Sequence, residues 1–505
     1  MWFSLFILPF LVLLVLFGPP DRVNAEERAE PLIISKSSEE EEPNLPPGLE
    51  QSPTPEKEME EPPIPLGLET PESDEEPELP EGIKEESSQE PAQEPFYDSR
   101  FPIKLSGFLE SRFGARSQND PFERDISLGE IRSQIEFEGQ RSWVGYSLTT
   151  DFLFDPVLDR HDVRLEEGTG AIDLREANIV VTPMEFVDLK LGRQVLTWGT
   201  GDFIFINDLF PKDWNSFFIG RDDEYLKAPS DALKASLFSP VVNLDVIFTP
   251  RFDADRFIDG RRISFFNDQF GRRTGRDAIV DDDTPDDWFD DNEIALRVFR
   301  NVRGYEIAAY GYWGFWKSPG GFNPSTGKAT FPDLSVYGAS FRGVVFKGIG
   351  NVEFGFNDSE DDRSGKDPFV KNSEFRLLLG YEQELAVDFK AGVQYYLEHM
   401  FDHDEFQSFL PPGIPETNEN RHVITLRLTK LLLNQNLELS AFSFYSPSDN
   451  DAYLRPKVHY KATDNWAVQM GGNVFFGSDD HTFFAQFERN TNIYFSVRYS
   501  FRTSS

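Results

Sequence analysis

The chain has 505 residues and a formal net charge of −39, with 88 Asp and Glu against 49 Lys and Arg. That balance excludes a nucleic-acid binder, which needs clustered cations; the lack of cysteine excludes disulfides, thiolate metal sites, iron–sulfur clusters and covalently attached c-type haem. Aromatic side chains reach 14% although mean hydropathy is only −0.45, the combination expected when lipid-facing and water-facing residues alternate along strands.

In chain order, Met1-Trp-Phe-Ser-Leu-Phe-Ile-Leu through Val15-Leu-Phe17 is a short apolar run, closed by Gly18-Pro-Pro20 and followed by the small-residue site Val23-Asn24-Ala25. Residues 1–25 read as a signal peptide. An uncleaved membrane anchor is the alternative, because no Lys or Arg precedes the run. No later stretch approaches ~20 consecutive apolar residues, so no other membrane-spanning helix is expected. Residues 26–98 form an acidic, Pro/Glu-rich segment, of which 26–95 carry 23 acidic and 4 basic side chains. Such a segment buries too little apolar surface to offset its ordering entropy, and is expected to be a disordered tether in the periplasm. Pro-Gly-Leu-Glu at 47–50 and Leu-Gly-Leu-Glu at 66–69 form a faint repeat. It suggests a docking motif for a basic periplasmic partner, against the plainer reading of a solvated tether.

Residues 99–505 break into alternating polar and apolar segments that predict an all-β, antiparallel, up-and-down transmembrane β-barrel of eighteen strands. The expected strand cores are 103–113, 128–137, 143–154, 174–182, 186–197, 232–239, 243–250, 293–301 and 304–315 in the first half. Those of the second half are 334–343, 350–357, 373–382, 387–398, 421–430, 436–446, 452–462, 465–476 and 491–501. Connections after even-numbered strands are short, as in Asn301-Val-Arg-Gly304, whereas most of those after odd-numbered strands are long. A soluble sandwich has no reason to sort its loops by parity; a barrel with both ends in the periplasm does. The last strand, Asn492-Ile-Tyr-Phe-Ser-Val-Arg-Tyr-Ser-Phe501, alternates most cleanly. Eighteen strands suit an aqueous channel, whereas a plugged transporter needs about 22.

Period 2 then assigns a lumen face. Candidate pore-lining residues are Glu130, Arg132, Lys190, Gln194, Arg297, Arg376, Lys390, Arg427, Arg455, Lys457 and Arg498. Strands fourteen to eighteen contribute Arg427, Arg455, Lys457, His459 and Arg498 with few inward acids, so one wall is expected to be basic and to favour anionic solutes. The alternative is an unspecific lumen of mixed charge. The connection 198–214 is too apolar for a solvated tip and is expected to fold back into the barrel and narrow it, or to pack on a neighbouring subunit. Its candidate constriction residues are Trp198, Asp202, Phe205, Asn207, Asp208, Lys212, Asp213 and Trp214. The carboxylates of 281–291 lack the spaced ligands and fixed glycine of a calcium loop and read as a solvated acidic loop. His399 and His403 read as loop histidines rather than metal ligands.

Leu191-Gly-Arg-Gln-Val-Leu-Thr-Trp-Gly199 resembles the Gly-Arg-Gln…Trp-Gly signature of porin-like bacterial outer-membrane barrels, including the alginate-export type and related uncharacterised proteins, and Asp480-His-Thr-Phe-Phe-Ala-Gln-Phe487 is similar to their C-terminal region. The resemblance implies a passive channel in the outer membrane of a Gram-negative-type bacterium, and names no solute. Parity puts Arg193 on the lipid side, so a bulge at Gly192 is expected to re-aim it into the lumen; without one, Arg193 sits at the membrane rim. The expected partners are outer-membrane lipid and the barrel-assembly machinery, with no cofactor and no metal. No Gly-x-Ser-x-Gly, His-Glu-x-x-His or phosphate-loop motif argues for an enzyme. The competing reading is a scaffold, in which the barrel sheathes a partner such as the cytochrome of a porin–cytochrome electron conduit.

Overall fold

The computed structural model describes residues 103–158 and 162–503; residues 1–25 and 26–98, read from sequence as signal and acidic tether, lie outside them. Within this range the chain forms eighteen antiparallel strands joined in one closed sheet. The first nine are β1 (Ile103–Arg116), β2 (Ile126–Arg141), β3 (Val144–Phe154), β4 (Ile172–Met184), β5 (Val187–Val195), β6 (Pro229–Leu237), β7 (Asn243–Thr249), β8 (Glu293–Val302) and β9 (Tyr305–Phe315). The second nine are β10 (Asp333–Val345), β11 (Gly348–Ser359), β12 (Glu374–Ala386), β13 (Phe389–Met400), β14 (Asn420–Leu432), β15 (Leu437–Ser446), β16 (Asp451–Lys461), β17 (Trp466–Gly477) and β18 (Asn492–Arg502). Each strand pairs with its sequence neighbours, and β18 returns to β1 in a register that runs from Ser106↔Arg502 to Arg116↔Asn492. Closure leaves this sheet without a free edge, which is what a sheet in hydrocarbon requires.

The period-2 pattern decides which face is which. Along β18, Ile493, Phe495 and Tyr499 are exposed, while Asn492, Tyr494 and Ser496 are buried on the lumen side. On β1 and β2, Leu109, Phe113 and Ile131 point out, whereas Glu110, Arg112, Glu130 and Arg132 point in. Exposed aromatic residues gather at both ends of the wall. Trp143, Phe186, Phe238, Phe346 and Trp466 mark the end with short turns, and Phe113, Phe154, Tyr337, Tyr445 and Phe476 the end with long loops. An apolar band between two aromatic girdles is the exterior of a transmembrane barrel.

The short turns follow from local chemistry. Arg303 and Gly304, at φ 52° and 85°, connect the paired Val302 and Tyr305; two successive positive φ values give the turn whose twist suits a hairpin. At the other end the connection 250–292 crosses the mouth to the far wall. Arg262 donates to the Ser127 carbonyl at 2.9 Å and pairs with Asp155, while the Asn490 amide donates to the Ser264 carbonyl at 2.7 Å.

Candidate constriction site

The connection between β5 and β6 turns into the barrel because it carries more apolar surface than water tolerates. Ile206, Phe217, Phe218, Ile219 and Leu226 are buried, and pack in one cluster with Phe442, Phe444, Tyr453 and Phe475, which project inward from β15, β16 and β17. A second cluster joins Leu196 and Phe210 of the connection to Ile247, Ala295, Tyr312 and Val336 on the opposite wall. The segment therefore spans the lumen from side to side.

Polar contacts fix its path. Near its start the Glu353 carboxylate on β11 accepts from Thr200 N–H at 2.7 Å and Thr200 Oγ1 at 2.8 Å, and from Asn207 N–H at 2.9 Å and Asn207 Nδ2 at 3.0 Å. Four donors leave this buried carboxylate well satisfied. Asp202 lies 3.2 Å from Arg427; burial pushes its carboxyl up, with Arg427 only partly offsetting. Asp208 holds Lys212 at 3.0 Å and accepts from Thr197 at 2.8 Å, and the Lys212 ammonium sits over the Phe205 ring. Trp198 packs edge-on to Phe210, with ring centres 5.0 Å apart. A short helix, α1 (Trp214–Ile219), follows. Asp213 caps it by accepting from Ser216 N–H at 2.7 Å, and Trp214 Nε1 donates to Asp255 at 3.0 Å. Gly220 ends the helix at φ 88°, where a Cβ would lie 2.2 Å from the Tyr494 ring.

Beyond Gly220 the segment crosses the basic wall. Asp222 pairs with Arg112 at 2.7 Å and with Arg498, and Asp223 with Arg455 at 3.0 Å and Lys457 at 3.5 Å. Burial alone would raise the Asp222 carboxyl, but Arg112 and Arg498 hold it well below the usual carboxylate range. Tyr225 then lies between Arg132 and Arg175, whose guanidinium carbons are 4.1 and 4.5 Å from its ring centre. The expectation of a wall with few inward acids counted only strands fourteen to eighteen; the compensating acids are Asp222 and Asp223 of the connection and Glu110 of β1.

The sequence-derived candidates thus fall into groups. Glu130 and Arg132 are buried beneath the connection, in a network with Asp151 and Arg221. Arg376 pairs with Glu374 at 2.6 Å, Arg297 with Glu306 at 2.7 Å, and Lys190 lies 3.9 Å from Glu176. Lys390 is exposed on the lumen parity of β13. Gln194 is fully buried, its amide donating to the carbonyls of Gly192 and Ala232 at 3.1 and 3.0 Å. The expected bulge at Gly192 is absent: the register runs unbroken through Asn178↔Gly192 and Gly192↔Ala232. The irregularity sits instead on β4, where Thr149↔Glu176 is followed by Thr150↔Leu174. Beside it, the Leu174 carbonyl accepts from Arg193 Nε at 2.7 Å. Arg193 stays in the outward series at the rim, buried and paired with Asp231 at 3.3 Å. His399 bonds to Asn420 and His403 to the Thr417 carbonyl.

Sequence comparison finds no matching family model and no matching curated protein. Comparison with solved structures finds chains of similar fold. OccAB4 of Acinetobacter baumannii is 10% identical, with 79% of this chain and 98% of that one covered and a TM-score of 0.49. OccK3 (OpdO) of Pseudomonas aeruginosa is 11% identical, with 80% and 96% covered and a TM-score of 0.47. The trimer form of OmpT from Vibrio cholerae is 11% identical, with 79% and 99% covered and a TM-score of 0.39.

Proposed function

We propose that the protein is a porin-like channel of a bacterial outer membrane, passing small hydrophilic solutes passively through a lumen narrowed by residues 196–228. The observation that carries this reading is the coexistence of an apolar exterior with a lumen lined by charges that stay partly open to water, among them Lys190, Arg427, Lys457 and Arg498. Such charges are costly in hydrocarbon or in a dry core, and water is their natural solvent. Barrels of about 16 to 18 strands have room for it.

A scaffold that sheathes a cytochrome needs a clear bore. The crossing segment, anchored on β11, β14, β16 and β1, speaks for the channel instead. The pairing of the basic wall with Asp202, Asp222 and Asp223 favours a lumen of mixed charge over a strongly anion-selective one. Purified barrel in planar bilayers tests the reading: discrete, ohmic current steps are expected. A large pore that conducts only after a co-purifying haem protein is stripped away would favour the scaffold.

A further inference from the structure

We propose that Asp222 and Asp223 determine the charge selectivity of this channel, as built-in counter-ions to the basic wall. The assignment rests on the channel reading above and adds the residues that tune it.

The wall is made by Arg112 on β1, Arg455 and Lys457 on β16, and Arg498 on β18. Left facing water, four inward cations would draw anions into the narrow part of the lumen. Each instead meets a carboxylate. Asp222 takes Arg112 at 2.7 Å and Arg498 together, and also accepts from Gln469 Nε2 at 3.1 Å. Asp223 takes Arg455 at 3.0 Å and Lys457 at 3.5 Å. Glu110 supplies a second partner to Arg112 and Arg498. Removing both loop charges would leave four cations against Glu110 and the more distant Glu224, 3.9 Å from Arg498.

The acid pair is held in place by more than its own charges. On one side the Gly220 carbonyl accepts from Arg112, and α1 is buried in the aromatic cluster. On the other, Tyr225 lies between Arg132 and Arg175 and its hydroxyl accepts from Gln134 at 3.2 Å. Neutral amides at 222 and 223 would keep these anchors. The Asp223 and Lys457 side chains are 42% and 28% exposed, so their field reaches lumen water, where unit charges act over a Debye length of about 8–10 Å.

Reversal potentials in planar bilayers under a roughly tenfold KCl gradient test this, on the full chain and on the double variant Asp222→Asn with Asp223→Asn. The chloride-to-potassium permeability ratio should rise by about threefold or more in the double variant. It should rise less in Asp223→Asn alone, which serves if the double variant does not assemble because the half-exposed Asp223 is cheap to neutralise. Adding Arg455→Gln and Lys457→Gln should return the ratio toward its starting value. An unchanged ratio in a conducting double or single variant overturns the assignment. A wild-type barrel that inserts but passes no current overturns the channel reading itself, and the assignment with it.

Discussion

The Glu353 carboxylate accepts two hydrogen bonds from Asn207, one from the backbone N–H at 2.9 Å and one from the side-chain amide at 3.0 Å, and so ties the crossing segment to the wall at β11. Its second oxygen accepts from Thr200 N–H and Oγ1. In Glu353→Gln an NH₂ group faces donors on one side, and hydrogen bonds to a charged group are worth about 1.5–3 kcal/mol each. The variant should assemble but hold the segment loosely, with faster hydrogen exchange at 200–207 and noisier, larger single-channel currents. Wild-type exchange in that stretch would contradict the anchoring role.

Gly220 is required twice, by its φ of 88° and by the Tyr494 ring, 2.2 Å from where a Cβ would stand. Gly220→Ala should therefore cost more than the ~1 kcal/mol of left-handed strain alone. Proteolytic nicking within 214–222 should appear in the variant while the strands stay resistant. Equal resistance of variant and wild type would mean that Tyr494 yields without cost.

Val497 lies mid-strand on the lipid face, opposite Ser111 and Val468 and between outward Phe495 and Tyr499. Val497→Arg should destabilise the barrel by about 2–4 kcal/mol if the site is near the bilayer midplane. Unfolding titrations in lipid vesicles measure it; no loss of stability would reverse the face assignment for β18.

Glu123, in the connection after β1, is packed against Gly275 and Arg276 of the strap across the mouth. Arg276 Nε donates to its Oε2 at 3.3 Å, while Oε1 has no hydrogen-bond partner among the described residues. Burial pushes its carboxyl up to about 7, against the opposing pull of Arg116 and Arg276. Because the folded value is raised, the contact is at full strength below the ordinary glutamate value of about 4.3 and weakens as pH rises through about 7. Exchange at 272–276, corrected for intrinsic rates, should quicken between roughly pH 5 and pH 8 in the wild type and stay flat in Glu123→Gln. The same pH dependence in both would assign the effect elsewhere.

The wall was legible in the sequence because its two signals are local: a side-chain period of 2 and turn residues at regular spacing. Arg303-Gly304 and the alternation of 492–501 are readable without knowing any partner. The apolar run in 198–214 likewise singles that connection out. What period 2 could not reveal is a contact between distant segments. Asp222 and Arg498 are 276 residues apart, and neither position predicts the other. Inward Phe442, Phe444, Tyr453 and Phe475 break the expectation of a polar lumen for the same reason, since they pack the crossing segment rather than line water. Arg193 keeps the outward place that period 2 gives it; the bulge expected beside it at Gly192 lies instead on the neighbouring strand, at Arg175, a shift that only strand pairing reveals.

The central claim is that solute passes through the barrel beside residues 196–228, and the lack of native cysteine makes one recording decisive. Glu224 is a 55% exposed side chain on that segment, so Glu224→Cys presents a single thiol to the lumen. Single-channel current through this variant should be steady before treatment and fall when a bulky thiol reagent is added, with recovery on reduction of the adduct. An inserted barrel that carries no current, or a current untouched by complete modification, would contradict the account.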